Sequence, residues 1–114
     1  MRTICDGCAA PREISRALRE EVLREAGFVP EGNLRIGSGC DACGGTGFRG
    51  RSGIFELLPV TASIKELILA RPDAGALRAK GAAEGMRPLR EDGWEKVRRG
   101  ITTIEEVLRV TRAV

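Results

Sequence analysis

Apolar positions recur along the chain with a helical period in some stretches and in short unbroken runs in others. Ile14, Leu18 and Val22 fall at four-residue spacing between Pro11, which can open a helix, and Gly27, which can close one. This predicts a helix over residues 12–26 with Arg16, Glu20 and Arg24 facing water. Phe28 to Asn33 reads as a loop, and Leu34 to Ile36 as a short strand. Seven glycines between Gly37 and Gly53 forbid a helix there. Gly53 to Leu58 is an apolar run stopped by Pro59, and predicts a strand.

Beyond Pro59 the pattern is helical throughout. Thr61 caps a helix from Ala62 to Ala70 with Ile64, Leu67 and Ile68 on one side, and Pro72 ends it. Asp73 caps an Ala-rich helix that reaches Glu84 before Gly85. A third helix spans Leu89 to Arg99, aligns Leu89, Gly93 and Val97, and stops at Gly100. Thr102-Thr103-Ile104-Glu105 forms a capping box in which hydroxyl and carboxylate satisfy each other's exposed backbone donors. It opens a last helix to about Arg112, with Ile104, Val107, Leu108 and Thr111 inward. The fold class is therefore α+β, mainly α. A tetracysteine subdomain with one helix and short strands (residues 1–58) precedes a small helical subdomain (residues 59–114).

Composition narrows the chemistry. At 114 residues the chain has room for a modest core only. It contains no His, so Ser-His-Asp triads, Cys-His nucleophile pairs and His-ligated metals are excluded. The net charge is +3, with the signs interspersed between Arg87 and Arg99. That is a solvated mixed face, and the scarcity of aromatic residues leaves little surface for base stacking, so no nucleic-acid partner is expected. No apolar run approaches the ~18 residues of a membrane helix, and the first residues lack a signal-peptide core. A cytoplasmic protein, or a piece of one, is expected, and there Cys pairs more often signal metal or redox chemistry than disulfides.

Cys5-Asp6-Gly7-Cys8 and Cys40-Asp41-Ala42-Cys43 are two C-x-x-C pairs separated by 31 residues. Each can make a tight turn aiming two sulfurs at one ion, and together they supply the four-thiolate set that zinc prefers. With Cys5, Cys8, Cys40 and Cys43 all engaged, no position is left for water or substrate, so the expected cofactor is one structural zinc and no catalytic residue is assigned. Gly7 gives the first turn freedom, and Gly44 allows a positive φ that brings N–H groups towards the sulfurs. Four thiolates with one zinc dication lower the net charge from +3 to +1. Arg2, Arg12, Arg49 and Arg51 lie close enough in sequence to offset the negative centre, although Arg49 and Arg51 could equally face a partner. A rubredoxin-like iron site, a redox-active pair and unliganded thiols are competing readings. An aromatic-rich shell or a βαβ context would favour the first two, and neither is present.

The glycine stretch contains two nucleotide-like patterns. Gly45-x-Gly47-x-x-Gly50 has the dinucleotide spacing, and residues 45–52 approach a P-loop with Arg51 in place of Lys. The first follows a Cys turn rather than a strand, and neither opens a helix whose N-terminus could hold phosphate, so both are rejected. Cys40-x-x-Cys43-x-Gly45-x-Gly47 matches one unit of a J-domain chaperone repeat, but the first Cys pair lacks the matching glycines. Adjacent carboxylates such as Glu105-Glu106 point away from each other on a helix and form no acid/base pair.

The ordered set Cys5-x-x-Cys8, Gly39-Cys40-x-x-Cys43, Gly47-Phe48-Arg49-Gly50-Arg51-x-Gly53-Ile54-Phe55-Glu56-Leu57-Leu58, Gly85-Met86-x-x-Leu89 and Gly100-x-Thr102-Thr103-x-Glu105-Glu106 resembles the C-terminal end of the type II secretion and type IV pilus assembly ATPases. The Ile-Phe-Glu-Leu-Leu form is more similar to the type II secretion member. The resemblance implies a non-catalytic fragment of a cytoplasmic, homohexameric ATPase docked on inner-membrane platform proteins. ATP and Mg would be handled by a P-loop and acidic boxes upstream, and Met1 is expected not to be native. In such proteins a strand rich in Arg and Val or Leu enters the first Cys pair. It is read as missing here, which leaves the strand at Gly53–Leu58 without a partner, and Asp6 stands where Pro is frequent. A stand-alone zinc-ribbon adaptor for protein or nucleic acid is the alternative.

Overall fold

The computed structural model describes residues 1–112, in which there are five α-helices, four short strands and, within the stretch where no helix was expected, a single 3-10 turn at Asp41–Cys43. In chain order these are β1 (Arg2–Ile4), β2 (Ala9–Pro11), α1 (Arg16–Ala26), β3 (Arg35–Gly37), β4 (Phe48–Arg51), α2 (Ala62–Leu69), α3 (Ala74–Ala83), α4 (Leu89–Arg98) and α5 (Ile104–Thr111). The expected α+β, mainly α class is observed, and 45% of the residues are helical. Two antiparallel ladders form, β1 with β4 and β2 with β3. No described helix is long and apolar enough to cross a membrane.

Local chemistry sets the helix ends. Ser15, Thr61, Asp73 and Thr103 each accept a backbone N–H three residues on, which satisfies one of the exposed donors of the first turn. Gly27 closes α1 at φ 65°. The helix expected from residue 12 begins at Arg16, because Pro11 belongs to β2 and the Arg12 N–H donates to Leu34 O. The expected capping box does not form: Thr103 rather than Thr102 is the cap, the Glu106 carboxylate takes Arg2 and Arg109 instead of the cap N–H, and the Thr102 hydroxyl donates to Arg2 O.

The buried core draws on both sides of Pro59. Val22 of α1 and Phe28 pack against Trp94 and Val97 of α4 and Ile104 and Val107 of α5. Phe28 stacks on Trp94 with ring centroids 4.5 Å apart. Gly93 lets α4 and α5 approach, since a Cβ there would lie 2.7 Å from Val107 Cγ1. The radius of gyration is 17.0 Å, against about 13 Å for a compact chain of this length. Contributing to the elongation, α2 and α3 pack on each other and bury Ile64 and Gly81 in a contact of their own.

The strand expected at Gly53–Leu58 does not form. The Phe55 N–H that a partner strand would take donates instead to Asp92 Oδ2 at 3.0 Å, and the Phe55 ring folds back over Gly53. Phe55 and Leu57 remain 73% and 77% exposed. The entering strand read as missing is present as β1, and it pairs with β4 rather than with residues 53–58. Two residue steps on β1 face three on β4, and Gly50 at φ 84° takes up the extra residue as a bulge.

β1 also binds the other end of the chain. Ile4 N–H donates to Ile101 O, and Arg2 N–H donates to Glu106 Oε1. Glu106 is 1% exposed and receives the guanidinium groups of Arg109 and Arg2. Arg109 and then Arg2 hold its carboxyl far below the usual carboxylate range, more than offsetting the cost of burial.

Two expectations follow from these contacts. Gly93→Ala raises helix propensity by about 1 kcal/mol, yet urea denaturation should show a net loss of about 1–2 kcal/mol because the methyl forces α4 off Val107. Unchanged stability would mean that this contact is slack. Glu106→Gln should lose about 2 kcal/mol at pH 7, the scale of hydrogen bonds to a charged group. A carboxyl lowered on folding stabilises the protein above its unfolded value, near 4.5, and that stabilisation is lost as pH falls below it. The gap between the two proteins should therefore narrow below pH 4.5, as read by denaturation at pH 7 and pH 3.

Candidate metal centre

The two short ladders bring the Cys pairs together. β2 begins directly after Cys8 and pairs Ala9 with Gly37, three residues before Cys40. Ser38 N–H then donates to Cys8 O. On the other side, Cys5 follows β1, and its N–H donates to Gly47 O, just past Cys43. The backbones of Gly37 and Gly47 cross so closely that a Cβ on either would overlap the other. Each C-x-x-C closes its own turn, with Cys8 N–H donating to Cys5 O and Cys43 N–H to Cys40 O.

All four predicted ligands converge. The Sγ atoms of Cys5, Cys8, Cys40 and Cys43 lie within 4.8 Å of one another. Cys5–Cys40 and Cys40–Cys43 are separated by 3.7 Å, and Cys8–Cys43 by 3.9 Å. A tetrahedron of four sulfurs around an ion with metal–sulfur bonds of about 2.3 Å has edges of about 3.8 Å. The sulfurs therefore stand at coordination distances, with no disulfide among them. The four cysteines are positioned to bind a metal and leave no vacant protein corner for a reacting group.

The polar surroundings suit thiolates. Gly39 N–H donates to Cys8 Sγ at 3.3 Å, and Cys40 N–H and Gly47 N–H donate to Cys43 Sγ at 3.2 Å. Donation by Cys40 N–H, followed by that from Gly47, lowers the Cys43 thiol to about 6 despite desolvation. Desolvation and the three neighbouring sulfurs raise Cys8 to about 11. The opposite directions express one constraint: a first thiolate opposes the next until a cation enters.

Several surrounding residues differ from expectation. Gly44 has the anticipated positive φ of 65°, but its N–H donates to Asp41 O. The N–H groups that approach the sulfurs, as the sequence led us to expect, come from Gly39, Cys40 and Gly47. Arg2 and Arg12, anticipated as counter-charges, are engaged by Glu106 and Glu105. Arg49 shares a cleft wall with Cys5, whereas Arg51 lines a separate surface beside Phe48.

Loss of one ligand should act locally first. In Cys40→Ser, amide exchange should accelerate most in β2, β3 and residues 39–47, because three-residue ladders have little stability of their own. Amides of α4 and α5, held by the Trp94 core, should keep most of their protection. Uniform acceleration over the chain would show instead that the core depends directly on the Cys cluster.

Comparison with known proteins places this geometry in a family. The model for the Type II/IV secretion system protein family matches residues 1–109. The chain is 40% identical over 109 residues to the type IV pilus assembly ATPase PilB of Thermus thermophilus, covering 95% of this chain and 12% of that protein. It is 37% identical over 113 residues to type II secretion system protein E of Aeromonas hydrophila, covering 98% of this chain and 22% of the relative. The type II secretion system ATPase E of Vibrio cholerae is 38% identical over 113 residues, with the same coverage. The chain thus spans between about an eighth and a fifth of the length of these relatives. With a family match over nearly its whole length and four cysteines positioned to bind a metal, this chain belongs to the Type II/IV secretion system protein family.

Proposed function

We propose that the chain is a non-catalytic, C-terminal part of a cytoplasmic type II secretion ATPase, in which one structural zinc per chain, held by Cys5, Cys8, Cys40 and Cys43, fixes a rigid surface. That surface meets neighbouring subunits of a homohexamer or inner-membrane platform proteins and passes on motion driven by ATP hydrolysis elsewhere in the parent. The observation that carries this reading is the set of sulfur–sulfur separations of 3.7–3.9 Å, which fit a closed tetrahedral site. An all-thiolate set with no His favours zinc among common divalent ions. When bound, zinc supplies cross-linking charge rather than a reactive water, and the residues of this chain do no bond-making.

We divide the roles at Pro59: residues 1–58 carry the metal lobe, and residues 59–114 carry the helices that brace and present it. The relatives are named ATPases of secretion and pilus assembly, which supports an ATP-driven parent. The glycine stretch of this chain makes Cys turns and a strand bulge, so it offers no phosphate loop. Exposed apolar residues at Phe55, Leu57, Val60 and Leu69 supply a surface of the kind that subunit contacts cover.

Elemental analysis of the purified protein should find about one zinc per chain. The protein should be colourless, with no ATP turnover above that of a Cys40→Ser control. A red, iron-containing protein would replace the structural-zinc reading with a redox one. A folded protein free of metal, with all four thiols reactive, would overturn the site.

A further inference from the structure

The turn that carries Cys5 has a second side, and it faces a basic cleft. The cleft has a volume of about 530 Å³, within the range of small-ligand sites. Its floor is Cys5, Asp6 and Gly7, and its walls bring in Arg35, Arg49 and Arg99. These arginines come from three separate elements, β3, β4 and the end of α4, and line one cleft beside the point where Ile4 N–H of β1 donates to Ile101 O. The stem of Arg35 is set in place by Gly100, where a Cβ would lie 2.6 Å from Arg35 Cδ.

The pairing of these residues separates them from the other arginines near the core. Arg2, Arg12, Arg87, Arg98 and Arg109 each meet a carboxylate. Among the described residues, Arg35, Arg49 and Arg99 make no side-chain hydrogen bond and no ion pair, and Asp6 is the one carboxylate on the cleft wall. Three guanidinium forks offer more donors than the two oxygens of a carboxylate can accept, whereas phosphate groups have enough oxygens for several forks.

We propose that this cleft is an anion site for a phosphorylated ligand, held by Arg35, Arg49 and Arg99 against the outer side of the Cys5–Gly7 turn. The site does not rest on the proposed role in secretion. It differs from the rejected P-loop reading, because the glycine stretch supplies only Arg49 and the other two arms lie outside it.

The test is titration of the metal-loaded protein with pyrophosphate, inorganic phosphate and acetate, followed by amide chemical shifts. Saturable binding should be tightest for pyrophosphate and weakest for acetate, with shifts concentrated at Ile4–Gly7, Arg35, Arg49 and Arg99–Ile101. Arg35→Gln, Arg49→Gln and Arg99→Gln should each weaken pyrophosphate about 10-fold with metal content unchanged. Arg24→Gln, on the exposed end of α1, should bind as the parent does. Sedimentation with phosphatidylglycerol vesicles identifies the source. Arginine-dependent co-sedimentation assigns a lipid headgroup, and pyrophosphate binding without it assigns a soluble ligand. Absence of saturable binding to either overturns the proposal, as does equal weakening in Arg24→Gln. Loss of metal with intact pyrophosphate binding in the three cleft variants also overturns it, since the arginines would then serve only to balance the thiolates.

Discussion

Four sulfurs held within 4.8 Å of one another are the constraint on which the first half of the molecule depends. Two unit negative charges at about 4 Å repel by about 4 kcal/mol at an effective dielectric of about 20, so four thiolates cannot share this space without a cation. The N–H donors from Gly39, Cys40 and Gly47 reach only Cys8 and Cys43, too few to offset the charge that four thiolates would carry. The ladders that hold the Cys turns in place are only three or four residues long, too short to persist by backbone pairing alone. On the proposed reading, metal binding and folding of the lobe are two descriptions of one equilibrium.

Helices α4 and α5 need no such help, because with Val22 and Phe28 they form an apolar core, and β1 joins them to the Cys turns. Its last residue, Ile4, is buried next to Cys5 and donates to Ile101, while its first, Arg2, is fixed by Glu106 and Thr102. Displacement of α5 would thus act on the Cys5 turn through a strand of three residues. α1 and Phe28 supply a second tie, since they leave the metal lobe to complete the Trp94 core. A lobe anchored at both places is tied to the helices at two points, as the proposed role requires.

The parts legible in the sequence were those set by neighbours in the chain. Thr61, Asp73 and Gly27 cap helices through contacts within a few residues, and the paired Cys turns announce their ligands by spacing alone. β1, β2 and β4 are not legible, because three or four residues carry no readable alternation; each exists through partners about 24 to 49 residues away. Gly53–Leu58 has the composition of a strand, yet Asp92 captures the N–H of Phe55. Adjacent Thr102 and Thr103 make the capping register ambiguous, and the hydroxyl not used for capping finds Arg2 O at the far end of the chain. The partners of Arg2 and Arg12 lie 104 and 93 residues away, beyond the reach of local reasoning. The same distance hides Arg35 and Arg99 as neighbours of the Cys5 turn.

We propose that Cys5, Cys8, Cys40 and Cys43 close a four-sulfur shell around one zinc. X-ray absorption at the zinc edge measures that shell directly. A closed shell gives four sulfur scatterers at about 2.3 Å and no nitrogen or oxygen scatterer at bonding distance. Two or three sulfurs completed by a light-atom ligand would contradict it, because the site would then be open and the lobe would not be locked by all four cysteines.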